Sequence, residues 1–259
     1  MVNQNEDSSN TDLFILLWIL LCILILSKNK YNFRTTFNGK LKKDNIFIIS
    51  NHPKFKKFKD IVNFENVDDV YKFFNQVNFN KDLHIIIITE GGESEGADSI
   101  AYNLSSMKFN GYKHKINMYI PSYAYSSGSM MMMSGDNIYM NWYSLVSPVD
   151  SQLEYELDDN ETFSVKHLRK MKVEGEFKNS MAHLIKKDAE SIYQSDLYLL
   201  NKVLRNNDNK KKIINKMFKT NLSHGVNYNI KDLKSIGLNI ITPIPKNINN
   251  IVANLCSHI

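Results

Sequence analysis

Cysteine is almost missing from this chain: Cys22 lies inside an apolar run and Cys256 near the end, in 259 residues. That excludes a disulfide framework and a cysteine-rich zinc site. The seven histidines show neither HExxH nor another metal-ligand spacing. No metal and no cofactor are therefore expected. No internal repeat is visible. A basic stripe interleaved with aromatics is also lacking. The net charge of +5 is spread through a sequence rich in Asn and Lys, so no nucleic-acid partner is expected. Tracts such as "RNNDNKKK" (205–212) read as solvated loop.

What is present begins with a membrane signal. Leu13 to Leu26 is uninterrupted apolar sequence, 14 residues, or roughly 21 Å of helix. Thr11 and Ser27 extend it, and bilayer thinning absorbs the remaining shortfall against the ~30 Å hydrocarbon core. A cleaved signal peptide would carry a basic n-region, but Glu6, Asp7 and Asp12 precede the run and no A-x-A-like site follows. The basic residues lie behind it: Lys28, Lys30, Arg34, Lys40, Lys42 and Lys43. The positive-inside rule keeps that flank in the cytosol. The expected layout is an N-terminal tail (1–12), a single-pass anchor (13–27), a basic linker (28–44), one cytosolic domain (45–245) and a C-terminal tail (246–259).

With 43% hydrophobic and 23% charged residues, the domain can bury one sizeable core. "NIFIIS" (45–50) reads as a strand. "NVDDVYKFFNQV" (66–77) places Val67, Val70, Phe73, Phe74 and Val77 at helical spacing. "LHIIIITEGG" (83–92) is a continuous β-branched run closed by a glycine pair, which suits a strand buried on both faces. A helix over about 94–106 follows, then a strand over 116–120, a turn, a methionine-rich helix and a strand over 137–141. A long amphipathic helix spans 177–204, and a short one covers 230–238 with Gly237 at its end. Strands alternate with helices, which predicts an α/β fold with a largely parallel sheet.

Two strands each end in small residues and pass straight into a helix, at Gly91–Gly92 and at Ser126–Gly128. In such sheets ligands bind beyond the carboxyl ends of the strands. Glycines let backbone N–H groups approach a substrate, and donors at helix N-termini aimed at a carbonyl oxygen form an oxyanion hole. A serine at the second turn would stand beside that hole. The simpler reading makes the serines a helix cap, the Gly pair a tight turn and Met130–Met133 plain core packing.

"IIIITEGGESEGADSIAYNL", "IPSYAYSSGSMMMMSGDNIYM" and "SLVSPVDSQL", in this order, resemble the serine dehydrogenase proteinase family of the Clp protease/crotonase superfamily, near signal peptide peptidase A. Members read H-T-P-G-G, Y-A-M-S-A-G-T, L-G-P-V-D-P-Q and T-H-D-Y-P-I-T. The last element corresponds to "SHGVNYNIKDLKSIGL" (223–238), and the resemblance covers roughly 45–240. It implies a Clp/crotonase-like fold of repeated strand-strand-helix units behind the anchor. It also implies a homo-oligomer and peptide or membrane-protein substrates. The nucleophile falls on Ser126, and the oxyanion donors fall on the backbone N–H groups of Gly92 and Ser127. His224 and Asp150 match motif positions and are candidate catalytic partners. The signal-peptide-peptidase branch uses a lysine instead, with Lys166, Lys178 and Lys186 as choices.

Three departures stand out. Glu90 replaces the proline before the glycine pair, Ser127 replaces a small apolar residue, and Gly225 replaces the aspartate of T-H-D-Y-P. No histidine lies between Ser126 and Asp150, where Clp-type proteases keep their base. The leading expectation is a membrane-anchored serine peptidase working through an acyl-enzyme at Ser126. The alternatives are an inactive membrane-tethered scaffold or peptide binder, and a crotonase-like acyl-CoA enzyme, against which the serine motif weighs.

Overall fold

The computed structural model of the chain describes residues 41–257 apart from 42, 56, 57, 59, 60, 156–160, 171–180, 221, 223 and 224. The expected anchor (13–27), most of the expected linker and His224 lie outside the described residues. Met1–Asp44 and Asn45–Ile259 separate into two units, of which the second carries the central sheet. Among the described residues no helix is long and apolar enough to cross a membrane.

A six-stranded sheet, parallel throughout among the described residues, runs through this second unit in the order β10–β6–β4–β3–β1–β2. Its strands are β1 (Ile46–Ile49), β2 (Ile61–Val62), β3 (Leu83–Ile87), β4 (Ile116–Ile120), β6 (Asn137–Met140) and β10 (Ile240–Ile241). Every residue of β4 is buried, as are all of β3 but His84. The continuous apolar runs therefore mark strands covered on both faces, as expected for a parallel sheet. Helix α1 (Val67–Gln76) starts where the Asn66 side chain accepts from the N–H groups of Asp68 and Asp69. Helix α2 (Ser94–Phe109) buries Ala97, Ile100, Ala101 and Leu104, one stripe at helical spacing.

A second, shallower layer carries the interesting turn. Strand β3 ends at Ile87, and Thr89 forms an isolated parallel bridge with Ala124 of β5 (Tyr123–Ala124). Strand β5 pairs with β7 (Leu145–Val146), and helix α3 (Ser127–Met133) follows β5 at once. All seven residues of α3 are buried, so the four methionines are core packing that seats the turn before them.

The remaining elements depart further from the sequence reading. A hairpin of β8 (Gln152–Tyr155) and β9 (Glu161–Ser164) leads into a short helix, α4 (Val165–Leu168). Helix α5 (Met181–Val203) is the long amphipathic helix, burying Ala189, Tyr193, Leu199 and Leu200. The tract read as solvated loop instead starts helix α6 at Lys210 (Lys210–Met217), because Ile213, Ile214 and Met217 bury one face. Helix α7 (Ile230–Ser235) opens on a reciprocal cap between Asn229 and Asp232. The expected C-terminal tail contains helix α8 (Lys246–Cys256), which buries Ile248 and Leu255.

Candidate active site

Ser126 has φ 50° and ψ −113°. Among the described residues only Asn45 shares a positive φ without being glycine. The ψ value lies far from the left-handed helical well, so the conformation costs roughly 1–3 kcal/mol. It persists because the surroundings fix the turn on both sides. The Ser126 N–H donates to Ser147 Oγ at 2.7 Å. The Ser129 hydroxyl lies 2.9 Å from Ala124 O and 2.7 Å from Ser147 O, with one proton to give to either. Strand β7 is in turn bridged to Tyr228 by reciprocal bonds with Val146, of 3.1 and 2.7 Å. The "SPVDSQ" block is thus the clamp on the serine turn.

The glycine pair comes up against this turn. Gly91 has φ 101°, and a Cβ there would stand 2.9 Å from Ser126 Cβ, so only glycine permits the approach. A compact polar network holds the pair. The Thr89 hydroxyl donates to Asn51 Oδ1 at 2.7 Å and accepts from the Gly91 N–H at 3.0 Å. Asn51 Nδ2 donates to Gly91 O at 2.6 Å and to Glu65 Oε1 at 2.7 Å, using both its protons. The N–H groups of Gly92 and Ser127 donate to no described residue. Both residues line a cleft of about 640 Å³ together with Ser126, Glu90, Asp150 and Glu154. The cleft thus brings together the three residues that the sequence singles out as nucleophile and oxyanion donors.

Asp150 also lies in this cleft wall and is buried. It accepts from the Ser164 hydroxyl at 2.9 Å and lies 3.2 Å from Lys166 Nζ. That contact is an ion pair by distance, although the ammonium is not aligned for a hydrogen bond. Lys166 itself is only 7% exposed. Behind the pair, the Ser151 hydroxyl donates to buried Asp196 on α5 at 2.8 Å. Burial pushes Asp196 up to about 6; the Ser151 bond opposes this and the Asp150 charge adds to it. Asp98 on α2 is pushed up to about 7 by burial and then by the Asp196 carboxylate.

Glu90 is exposed in the cleft. Burial, and after it the Glu90 carboxylate, raises the phenols of Tyr123 and Tyr125. Among the described residues no side chain hydrogen-bonds the Ser126 hydroxyl, and no cluster of ligating side chains fits a metal ion. His224 and Lys178 are outside the described residues, while Lys186 sits on α5. A second cavity, of about 490 Å³, is lined by Tyr102, Lys108, Lys202 and Arg205 and contains none of these groups. Sequence reasoning missed Asn51, Glu65, Thr89 and Ser147. A polar Thr at the end of an apolar strand was a usable signal for one of them. Asn51 and Glu65 stand apart from both motifs and gave none.

Known proteins place these features in context. A mutant of the 1510-N membrane-bound stomatin-specific protease aligns at 8% identity over 80% of this chain and 84% of its own, with a TM-score of 0.49. ClpP1 from Listeria monocytogenes aligns at 14% identity over 81% and 98%, with a TM-score of 0.47. The uncharacterized protein MJ1495 of Methanocaldococcus jannaschii is 23% identical over 187 residues, which span 72% of this chain and 61% of that one. The ClpP-like SDH-type serine proteinase family matches residues 3–256. The kinship read from the motifs holds over almost the whole length, and the chain belongs to that family.

Proposed function

We propose that the chain hydrolyses peptide bonds through an acyl-enzyme on Ser126. The observation that carries this is the Ser126 backbone, held at φ 50° and ψ −113° between a glycine pair and a buried helix. Such strain, fixed from several sides, is what a sharp strand-to-helix turn needs to present a hydroxyl to a cleft. In the reaction Ser126 Oγ attacks the carbonyl carbon and its proton passes to a base. The oxyanion takes hydrogen bonds from the Gly92 and Ser127 N–H groups, and the base returns its proton to the leaving amine. Water then repeats the sequence to free the acid. Lys166 and His224 are the two candidate bases; Lys166, paired with Asp150 at 3.2 Å, can serve only after giving up its ammonium proton.

A fluorophosphonate tests the reading directly. Wild type should be labelled, Ser126→Ala should not, and Ser127→Ala should keep the label. Of Lys166→Ala and His224→Ala, the variant that abolishes labelling identifies the base. A second reading, an inactive peptide-binding scaffold, is favoured by the absence of a described side chain bonded to the Ser126 hydroxyl. Failure of the wild type to label would favour it over the peptidase.

The anchor remains a proposal from the sequence: residues 13–27 tether the chain to a membrane with the domain in the cytosol. Homo-oligomerisation is proposed with it. On α5, Leu184 and Tyr198 are exposed, and the assembly is proposed to bury them.

A further inference from the structure

The cleft around Ser126 has a charge opposite to that of the chain. Overall the chain has 32 Lys and Arg against 27 Asp and Glu. Yet Glu90, Glu93, Glu95 and Glu154 expose carboxylates to the cleft, whereas Asp150 in its wall is paired with the buried Lys166, and no Lys or Arg is among the described lining residues. Such a concentration of one sign in a concave site focuses the field and attracts the opposite charge. Next to Glu90, the Tyr123 and Tyr125 rings stack 5.3 Å apart and are half-exposed. The Ser127 hydroxyl, buried on a residue that lines the cleft, has no hydrogen-bond partner among the described residues, and so leaves a polar group for a bound chain to satisfy. A divalent metal is a poorer fit, since no described group of ligating side chains converges closely enough to hold one.

We infer that the cleft selects peptide segments carrying Lys or Arg, held by the carboxylates of Glu90, Glu93, Glu95 and Glu154. This rests on Ser126 as the nucleophile only for turnover; the binding preference stands on the cleft alone. It also gives Glu90 a use. A carboxylate beside an oxyanion hole opposes the developing negative charge, and a cationic side chain seated against it offsets that repulsion. The preference therefore enters kcat as well as KM.

The test uses the full chain and a set of quenched fluorescent peptides that differ at one position: Lys, Arg, Leu or Glu. At low salt kcat/KM should be about tenfold higher for Lys and Arg than for Leu, and lowest for Glu. The spread should shrink at about 0.15 M salt. Glu93→Gln, Glu95→Gln and Glu154→Gln should each lower the Lys-to-Leu ratio about two- to fivefold. In parallel, fluorescence anisotropy follows a labelled Lys peptide on the Ser126→Ala protein, where no turnover is needed. Cleavage by the wild type without a basic preference would overturn the inference and leave the peptidase intact. Tight, glutamate-dependent binding with neither cleavage nor fluorophosphonate labelling would sink the peptidase reading and support the inference. Equal binding of Lys, Leu and Glu peptides to Ser126→Ala would sink the inference whatever the activity.

Discussion

Thr89 serves three positions at once. Its hydroxyl accepts from the Gly91 N–H and donates to Asn51, and its backbone ties the end of β3 to β5. Thr89→Val keeps the shape and removes the hydroxyl, leaving a buried N–H and an amide oxygen without partners. Outright loss of an oxyanion donor costs about 3–4 kcal/mol; a loosened one should cost less. Hydrolysis by Thr89→Val should therefore fall about 10- to 100-fold in kcat, with KM little changed, and Thr89→Ser should restore it. Steady-state kinetics on the three proteins check this; a KM effect alone would show that the network shapes binding. Glu90→Gln should raise kcat/KM on a Leu peptide and lower it on a Lys peptide. A parallel change on both would place Glu90 outside the oxyanion field. Of these residues Ser126, Gly92 and Ser127 were legible, since motif and turn chemistry coincide there. Asn51 and Glu65 were not, because they reach the site only through pairings of distant strands.

Between helices, half-buried Asp98 of α2 and buried Asp196 of α5 make stability depend on pH. Asp98 and Asp196 bind their protons more tightly in the folded chain than in the unfolded one, at about 7 and about 6 against an ordinary value of 3.8. Folding gains from both below about pH 4, and the gain is lost as pH rises through 6 and 7. Asp98→Asn removes that loss at one site. Its unfolding free energy should exceed that of the wild type at pH 8 by on the order of 1–4 kcal/mol, and the difference should vanish toward pH 4. Urea melts at the two pH values check it; a constant difference would trace the effect to packing. The elements themselves were read with uneven success. Strands β1, β3, β4 and β6 and helices α1, α2 and α5 were legible, because short β-branched or apolar runs bounded by turn residues favour strands and longer 3.6-residue stripes favour helices. Helix α6 was hidden by its own surface: Lys211 and Lys212 face solvent, and only two adjacent isoleucines and a methionine face inward. Hairpin β8–β9 was missed because four-residue strands give periodicity too few repeats to show, and helix α8 was missed although Ile248, Ile251, Val252 and Leu255 recur at helical spacing among four asparagines.

For the whole chain, topology can be checked with groups already in the sequence. Asn103-Leu104-Ser105, Asn160-Glu161-Thr162 and Asn221-Leu222-Ser223 are glycosylation sequons. If the proposed anchor holds the domain in the cytosol, the protein expressed in a eukaryotic cell should resist carbonate extraction and show no shift on glycosidase treatment. Glycosylation at any of the three would reverse the orientation, and loss of the first 27 residues would identify a signal peptide.

The clamp on the serine turn has a consequence for synthesis. Val146 is bridged to Tyr228, and the Val149 N–H donates to Met217 O at 2.8 Å on the same block. A ribosome releases Ser126 long before it releases Met217 and Tyr228, at about 5–20 residues per second. During that interval the strained turn lacks the partners that hold β7 against it, so the nascent chain carries its nucleophile in a relaxed, unaimed form. If the chain works through Ser126 as proposed, its cutting geometry is complete only when its last quarter has folded.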